Sequence, residues 1–321
     1  MKYKKILVTG GLGFIGGNFL KIFTKKYPKV KFLNIDNFTY AASIEIYNLL
    51  KEKKNYQHKK VDISDFKKLK SEFTKFKPDM VVHFAAESHV DNSIKNPDNF
   101  IKTNIFGTYN LLKLMNKNVK IIHISTDEVF GEAHNKKFFE NSRYNPRSPY
   151  SASKASSDHL VRSWSNTYDI NYLIVNCSNN YGPFQNKEKF IPVVIKAILQ
   201  NKKIPLYGKG LNIREWIFVE DFVNAIEFLI KKDISKDTFL IGSGISLKNI
   251  DLIKKIFKVI NKKFNIKRKH NLIKYVKDRP GHDQIYKINS SKINKLGWKS
   301  KTKINEGLHK TINYYKNFLK K

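Results

Sequence analysis

The sequence contains almost no cysteine and has no long apolar segment. Cys177 is the only cysteine among 321 residues, so no intramolecular disulfide can form, and a reducing compartment fits. We interpret Cys177 as a small buried side chain. No stretch approaches the 18 apolar residues of a membrane span, and the apolar run in MKYKKILVTGG is too short for a signal peptide. We therefore expect a soluble, cytoplasmic protein without a membrane partner.

Acidic residues are also scarce, with 27 against 61 basic residues and a formal net charge of +34. Such a charge alone would suggest a nucleic acid or a membrane surface as the partner. However, only six of the basic residues are arginine, and specific readers of DNA rely on arginine forks. We expect a solvated lysine surface with no specific nucleic-acid partner, and incidental attraction to polyanions stays open.

A glycine-rich turn joins the first predicted strand to the first predicted helix. The apolar run Ile6 to Thr9 leads directly into Gly10, Gly13 and Gly16, and helical periodicity follows in FIGGNFLKIFTKK. Glycines allow a tight turn and let backbone N–H groups approach a pyrophosphate, which the helix N-terminus attracts. This strand, turn and helix therefore predict a dinucleotide site.

The second predicted strand, Val30 to Ile35, indicates which dinucleotide binds. It ends at Asp36, 20 residues after Gly16, where a carboxylate can accept hydrogen bonds from the adenosine ribose. The same carboxylate would repel a 2′-phosphate, and no arginine follows it directly. These residues favour NAD over NADP, although Asp36 could also serve only as a turn residue.

Strands and helices continue to alternate along the chain. We predict strands at 56–61, 80–84, 121–124 and 172–177, and helices at 65–76, 99–115, 150–168, 192–200, 220–231, 248–262 and 303–318. This alternation predicts an α/β fold: a Rossmann-like, doubly wound parallel sheet with a smaller C-terminal substrate-binding lobe. We assign residues 1–178 to the NAD-binding domain and 179–321 mainly to the lobe, and later strands could return to the first domain.

The strand Ile121 to Ile124 ends beside the residues best suited to catalysis. Thr126, Asp127 and Glu128 follow it, and ligands of open α/β sheets bind beyond the carboxyl ends of strands. Tyr150 and Lys154 are four residues apart after Pro149, so they share a helical face. A free tyrosine has a pKa of about 10, and we expect the lysine to lower it. Alone, this spacing is common on solvated helices.

Other polar segments are less specific. His89 and Asp91 are only two potential ligands, so we predict no metal site. Asn179 and Asn180, in the predicted turn SNNYGP, could bind a ligand or merely form the turn. We expect the lysine-rich connection 132–147 to be a loop over the site.

Several longer motifs accompany the glycine turn and the Tyr150, Lys154 pair: HFAAESHVDNSI, ISTDEVFG, SPYSASKASSDHL, NCSNNYGP, EKFIP, YGKGLNIREWIFVEDF and DRPGHD. With them, essentially the whole chain resembles the dTDP-glucose 4,6-dehydratases, extended short-chain dehydrogenases/reductases of bacterial deoxysugar (rhamnose-type) pathways. The resemblance implies a closed redox cycle on one sugar ring. NAD⁺ accepts hydride from C4, water is lost across C5 and C6, and the hydride returns to C6.

The resemblance also implies residue roles. Tyr150 would remove the C4 hydroxyl proton, Lys154 would lower its pKa and hold the nicotinamide ribose, and Thr126 would bond near the C4 oxygen. Glu128 would abstract the C5 proton and Asp127 would protonate the departing C6 hydroxyl, so one carboxyl must be ionised and the other protonated.

The binding residues that the resemblance implies form two sets. For NAD they are Gly10, Gly13, Phe14, Ile15, Gly16, Asp36, Asn37, Asp62, Ile63, Ala85, Ala86, Thr103, Tyr150 and Lys154. For the nucleotide sugar they are Ser88, Thr126, Asn179, Asn180, Lys189, Arg214, Asn249, Arg279 and His282. Arginine forks match phosphate oxygens, so Arg214 and Arg279 suit the pyrophosphate.

The sequence departs from the family pattern in two places. Phe130 stands where a tyrosine is common, which suggests a lost hydroxyl near the site. FQNKEKFIP replaces a run like YHFPEKLIP, which leaves open how residues 186–189 meet the nucleotide.

Alternative functions stay open at this point. They are the same reaction on UDP- or CDP-glucose, a sister epimerase or decarboxylase, and a noncatalytic NAD-binding regulator or basic nucleic-acid binder. We also expect a homodimer, built by the amphipathic helices 99–115 and 150–168.

Overall fold

A seven-stranded parallel sheet forms the centre of the computed structural model, which describes residues 1–134, 136–266 and 270–319. Most of its strands are apolar runs whose buried residues face helices on both sides, whereas the edge strand Tyr56–Lys60 is mostly polar. The strands of the protein are Lys5–Thr9 (β1), Lys31–Asp36 (β2), Tyr56–Lys60 (β3), Met80–His83 (β4), Lys120–Thr126 (β5), Asn171–Cys177 (β6), Asn179–Tyr181 (β7), Ile204–Tyr207 (β8), Ile213–Phe218 (β9), Asp237–Ile241 (β10), Ser246–Lys248 (β11) and Ile273–Val276 (β12).

Helices follow most of these strands. The α-helices are Phe14–Lys26 (α1), Ile44–Leu50 (α2), Phe66–Phe76 (α3), Val90–Lys95 (α4), Asp98–Phe100 (α5), Thr108–Leu112 (α6), Pro149–Tyr168 (α7), Phe190–Leu199 (α8), Val219–Lys232 (α9), Asn249–Phe264 (α10), Ser291–Lys295 (α11) and Ile304–Phe318 (α12). A π-helix, Ile101–Gly107, joins α5 to α6, and 3-10 turns span Asp127–Phe130 and His270–Leu272. Among the described helices, none is long and apolar enough to cross a bilayer.

The strand order of the central sheet is β10-β6-β5-β4-β1-β2-β3. From β1 the chain adds β2 and β3 on one side, and it then crosses to the other side of β1 to add β4, β5 and β6. Ligands of doubly wound sheets bind at this switch point between β1 and β4. The predicted Rossmann-like fold is therefore confirmed. β10 comes from the second half of the chain and pairs with β6 in parallel, so a later strand does return to the sheet.

The C-terminal half contributes a second, smaller apolar core. It packs α8, α10 and α12 around β8 and β9, and its buried side chains include Trp216 and Phe257. A three-stranded sheet, β11-β9-β7, contributes to both cores, because β9 places Ile217 in the core of the central sheet and Trp216 and Phe218 in this one. The division of the chain at residue 178 stays a prediction.

Three details of the predicted elements were wrong. Asn179–Tyr181 is a strand rather than a turn, because it pairs in parallel with Trp216–Phe218 of β9. The predicted helix 99–115 contains the seven-residue π-helix and ends at Leu112. The short helices α2, α4 and α11 were not predicted at all.

The connection after Gly131 lies away from the predicted site. Ala133 donates its backbone N–H to Ile285, and Phe138 bridges to Ile288. None of its described residues lines the cleft, so the expected loop over the site is wrong.

Candidate active site

A continuous cleft runs along the carboxyl ends of the central strands and into the C-terminal half. It has three adjoining compartments of about 110, 250 and 350 Å³, which share lining residues at each junction. We name them the outer, central and inner compartments. Ligand pockets of this total size suit nucleotide-sized molecules better than small ions.

Every residue that the sequence analysis proposed for binding or catalysis lines this cleft. The outer compartment is lined by Gly10, Gly13, Asp36, Asn37, Asp62, Ile63, Ala85, Ala86 and Thr103. The central one adds Phe14, Ile15, Gly16, Ser88, Thr126, Asp127, Glu128, Tyr150, Lys154, Asn179, Asn180 and Lys189. The inner one adds Arg214, Asn249, Arg279 and His282.

The glycine turn fits a diphosphate group. Gly10 has φ +69°, and a Cβ there would come within 2.6 Å of the Ala85 backbone. Gly13 begins α1 with no side-chain cap, so the first N–H groups of the helix keep their capacity to bind an anion. The residues present therefore fit the pyrophosphate of a dinucleotide.

Asp36 ends β2 beside this turn. Its carboxylate accepts hydrogen bonds from the backbone N–H groups of Leu12 and Phe38, each at 2.9 Å. These bonds fix the side chain at the rim of the outer compartment. Each carboxylate oxygen has a second lone pair, so Asp36 can still accept from a ribose hydroxyl. Asn37 donates to Asp62 at 3.1 Å beside it.

The two carboxyl groups after β5 have different surroundings. Asp127 is 2% exposed, and its pKa is well above the usual range because of burial and the charge of Glu128. Burial also raises the pKa of Glu128, but the cations Arg279, Arg214 and Lys189 oppose that rise. The pair is thus suited to one protonated and one ionised carboxyl group.

Tyr150 and Lys154 lie on the buried face of α7. Helix α7 begins with a capping box, in which Ser148 and Ser151 bond reciprocally after an extended segment. Lys154 Nζ donates to the Ile124 carbonyl of β5 at 2.8 Å. Burial lowers the pKa of Lys154 to about 8.

The expected lowering of the Tyr150 pKa is wrong for the protein by itself. Burial and the charge of Glu128 raise the pKa of Tyr150 well above 10, and the hydrogen bond from Thr126 opposes this only partly. Lys154 instead donates a hydrogen bond to the Ile124 carbonyl. Burial removes water from around the phenol and so destabilises the phenolate. This loss exceeds the stabilisation that the neighbouring lysine gives to the phenolate.

Cationic side chains gather at the inner compartment. Arg214 is 5% exposed and donates to the carbonyl oxygens of Asp283 and Ile213. Arg279 donates to Asp91 at 3.1 Å, and Asp91 also accepts from Tyr207. These contacts hold two guanidinium groups at one end of the cleft.

The remaining predicted substrate residues line the passage between the halves of the molecule. Lys189 Nζ donates to the Ser88 carbonyl at 2.7 Å. His282 Nδ1 lies 2.6 Å from Asp278, which orients its ring. The described residues contain no group of three or more side chains arranged to hold a metal ion, and His89 instead lies 3.9 Å from Glu188.

Sequence reasoning missed several residues of the cleft, among them Ser125, Ser178, Gln185, Asn186 and Tyr286. Within the described part of the chain, the following buried atoms at the cleft have no hydrogen-bond partner: Asp127 Oδ2, Ser178 Oγ, Asn179 Oδ1, Asn180 Oδ1 and Gln185 Oε1. Such atoms are costly unless a ligand or water satisfies them.

The two departures from the family pattern have different outcomes. Phe130 is 2% exposed and packs against Phe138 and Tyr144 rather than lining the cleft, so the suggestion of a hydroxyl lost from the site is wrong. Gln185 and Asn186 of the second departure do line the central compartment.

The doubly wound sheet, the glycine turn and the buried Tyr150, Lys154 pair define a short-chain dehydrogenase/reductase. A family model described as GDP-mannose 4,6 dehydratase matches residues 7–311, and the chain belongs to that family.

Characterised relatives agree with this assignment. The dTDP-glucose 4,6-dehydratase of Salmonella typhimurium is 41% identical over 336 residues, covering 97% of this chain and 92% of the relative. That of Streptomyces venezuelae, solved with NAD and dTDP bound, is 34% identical with a TM-score of 0.90, covering 98% of this chain and 97% of the other. That of Bacillus anthracis, solved with NAD, has a TM-score of 0.88 at 34% identity, with the same coverage of both chains.

Proposed function

We propose that the protein is an NAD-dependent lyase that converts dTDP-glucose into dTDP-4-keto-6-deoxyglucose, in deoxysugar biosynthesis. One observation carries the proposal: the adjacent carboxyl groups of Asp127 and Glu128 line the same compartment as Tyr150 and Lys154. A dehydrogenase or an epimerase needs only the second pair. Elimination of water needs an acid and a base in addition.

NAD, bound along the glycine turn and Asp36, supplies a reversible hydride acceptor. The chain's own residues then handle protons. As a phenolate, Tyr150 takes the C4 hydroxyl proton and becomes a neutral phenol, and Lys154 and the hydrogen bond from Thr126 favour that phenolate before the transfer. The high pKa of Tyr150 keeps it protonated in the free protein, and the positive charge of a nicotinamide ring in the central compartment would favour its ionisation.

The two carboxyl groups serve the elimination step. Glu128, in which the cations Arg279 and Arg214 oppose the rise in pKa that burial causes, removes the acidified C5 proton. Asp127, kept protonated by burial, gives its proton to the departing C6 hydroxyl. A proton therefore leaves C5 and another joins the leaving water, so the elimination is balanced.

The nucleotide sugar binds through the inner compartment. Arg214 and Arg279 suit its diphosphate, because guanidinium forks pair with phosphate oxygens. Ser88, Asn179, Asn180, Lys189, Asn249 and His282 complete its surroundings. The same arrangement would accept a UDP or CDP sugar, and the dTDP form is favoured by the relatives.

Turnover of dTDP-glucose by the wild type and by Glu128→Gln tests the proposal. We expect the wild type to make the 4-keto-6-deoxy product without net NADH. We expect the variant to stop after C4 oxidation, with nicotinamide absorbance at 340 nm and at least ~100-fold less product. Release of NADH or of an epimer by the wild type would contradict dehydration, and product from UDP-glucose alone would contradict the base assignment.

We also propose that two copies associate through the helices 98–112 and α7. Ile101, Phe106 and Tyr109 are exposed apolar residues on the first of these, and Tyr109 contacts Trp164 of α7 edge-on. Exposed clusters of this kind mark association surfaces. A second copy would bury the same surface on both partners and form a four-helix interface.

A further inference from the structure

The buried face of α7 carries a third ionisable residue, one helical turn beyond Lys154. Tyr150, Lys154 and Asp158 are spaced by four residues and are 8%, 3% and 0% exposed. Residues at this spacing lie above one another on a helix. Asp158 does not line the cleft, so it cannot contact a ligand there.

The Asp158 carboxylate is held on several sides. Its Oδ2 accepts hydrogen bonds from Ser125 Oγ at 2.9 Å, Tyr144 OH at 2.8 Å and Asn176 Nδ2 at 3.2 Å. Its Oδ1 lies 3.2 Å from His123 Nε2. Burying a carboxylate so completely is costly, and these contacts do not supply a full positive charge.

Lys154 lies beside the same part of β5. Its ammonium bonds the carbonyl of Ile124, the residue between His123 and Ser125, and both of these contact Asp158. The ammonium and the carboxylate therefore contact consecutive residues of β5, without a direct ion pair between them. The charge of Asp158 acts to raise the pKa of Lys154 against the lowering effect of burial.

Apart from the cation Arg162, the other groups near this pair carry little charge at neutral pH. Burial lowers the pKa of His123 to about 4 and that of His83 well below its usual value, and it raises the pKa of the Cys177 thiol. Arg162 donates to the Tyr144 hydroxyl at 2.9 Å and reaches Asp158 through it. Within the described part of the chain, Asp158 is thus the ionised carboxylate that acts on Lys154.

We propose that Asp158 is a positioning residue that keeps Lys154 protonated and fixed against β5. Lys154 can then present a cation to Tyr150 in the central compartment. Without the carboxylate, the burial of Lys154 would be uncompensated and its proton would be lost at lower pH. The inference rests on the proposed function only for its activity measurement.

Asp158→Asn tests this role, because it removes the charge and keeps the shape. Activity needs protonated Lys154 and so declines as the pH rises through the Lys154 pKa. We expect Asp158→Asn to shift this alkaline decline of kcat/KM downward by about one pH unit, a tenfold change in proton affinity. Tyr144→Phe is the matched control: it removes a hydrogen bond to the same carboxylate but leaves the charge, so the decline should stay in place.

A titration without substrate makes the test independent of the reaction. In protein labelled with 13Cε-lysine, the Lys154 signal is identified by its loss in Lys154→Arg, and its midpoint gives the pKa directly. We expect the same downward shift in Asp158→Asn. An unshifted midpoint overturns the inference. A shifted midpoint in a protein that does not turn over dTDP-glucose supports the inference and contradicts the proposed function.

Asp158→Glu covers the case in which Asp158→Asn does not fold. It keeps the charge and moves it by one methylene group, so the Lys154 midpoint should stay near that of the wild type. A midpoint lowered by a full pH unit in Asp158→Glu would show that the charge does not hold the proton, and would overturn the inference.

Discussion

The neighbouring carboxyl groups of Asp127 and Glu128 differ in acidity because their side chains lie in different surroundings. Asp127 begins a 3-10 turn and is 2% exposed, and its Oδ2 has no partner among the described residues. Glu128, next in the chain, faces the cations of the C-terminal half. The same two residues on an exposed helix would titrate almost together.

We expect Asp127→Asn to impair elimination more than C4 oxidation. The amide keeps the shape of a protonated carboxyl but cannot release a proton to the leaving hydroxyl, so product formation should decrease about 10²- to 10⁴-fold. The measurement is single-turnover absorbance at 340 nm together with product analysis. Glu52→Gln is a control, because this exposed carboxyl group lies outside the cleft. Unchanged product formation by Asp127→Asn would exclude Asp127 as the acid.

Much of the site could be predicted residue by residue, because strand ends in a doubly wound sheet converge on one edge. Thr126, Asp36 and Ala85 all follow apolar runs that the sequence shows plainly. Gln185 could not be predicted this way. It lies on an irregular segment, and its place at the cleft depends on a hydrogen bond to the Asn180 carbonyl at 2.9 Å.

At the scale of the element, irregular segments such as the π-helix contribute residues to the site as the regular helices and strands do. The π-helix turns Thr103 toward the outer compartment and buries Asn104, which bonds the backbone of Glu87 and the Ser153 hydroxyl. π-helical segments often occur at functional sites. A periodicity of 3.6 residues predicts an ordinary α-helix here. The sequence therefore could not predict which side chains the π-helix directs toward the site. Strand β7 was missed because Asn-Asn-Tyr pairs only with the distant β9.

We expect two glycines of the first turn to respond differently to alanine. A Cβ on Gly16 would lie 2.5 Å from the Gly10 carbonyl oxygen and 3.0 Å from Gly11 Cα, so backbone must move. A Cβ on Gly13 would meet only the Gly10 oxygen, at 3.2 Å. Gly16→Ala should therefore lower Tm by several degrees, a loss of roughly 1–3 kcal/mol. Gly13→Ala should keep the fold but weaken NAD binding at least ~10-fold.

Thermal unfolding and calorimetric titration with NAD check this pair. Equal Tm values for the two variants would show that the turn relaxes easily. Wild-type NAD affinity in Gly13→Ala would show that the dinucleotide does not approach this backbone.

Glu227 joins helices α1 and α9, and its stabilising effect should depend on pH. Its side chain is 6% exposed and pairs with Lys26 and Lys231, each at 2.7 Å. Although burial acts to raise it, these partners lower the pKa of Glu227 to about 2. An unfolded glutamate titrates near pH 4.3, so the stabilisation is complete above that pH and is lost as the pH decreases toward 2.

We therefore expect Glu227→Gln to reduce the free energy of unfolding by about 1 kcal/mol at pH 7, because both lysines are half exposed and screened by solvent. The difference from the wild type should shrink toward pH 2. Urea unfolding across this range measures it, with the exposed Glu52→Gln as control. A difference that stays constant with pH would mean that the charge is irrelevant.

At the scale of the whole molecule, surface composition and surface shape point to different partners. The net charge of +34 is spread over lysines, whereas helices 98–112 expose three large apolar residues, Ile101, Phe106 and Tyr109. The first gives weak, salt-sensitive attraction to any polyanion. We propose that the second is covered by a second copy of the chain.

We expect Phe106→Glu to convert the protein from a dimer to a monomer at micromolar concentration. Phe106 is 56% exposed in the single chain, and a dimer would bury it, so a charge there would be left unpaired. Phe139→Glu is the matched control, since Phe139 is 46% exposed but lies on the connection before α7. Light scattering after size exclusion measures the mass. A monomeric wild type would refute the proposed interface.

The return of β10 to the edge of the central sheet has a consequence for synthesis on the ribosome. β6 emerges with one edge unpaired, and its neighbour β10 follows only after β7 to β9 and two helices. An open, apolar edge strand is a template for pairing with other chains. The nascent protein must therefore pass through a stage at which its sheet is nearly complete but the edge of β6 can still pair with other chains. Chaperone capture during translation, and aggregation of chains truncated before Asp237, should both concentrate at that edge.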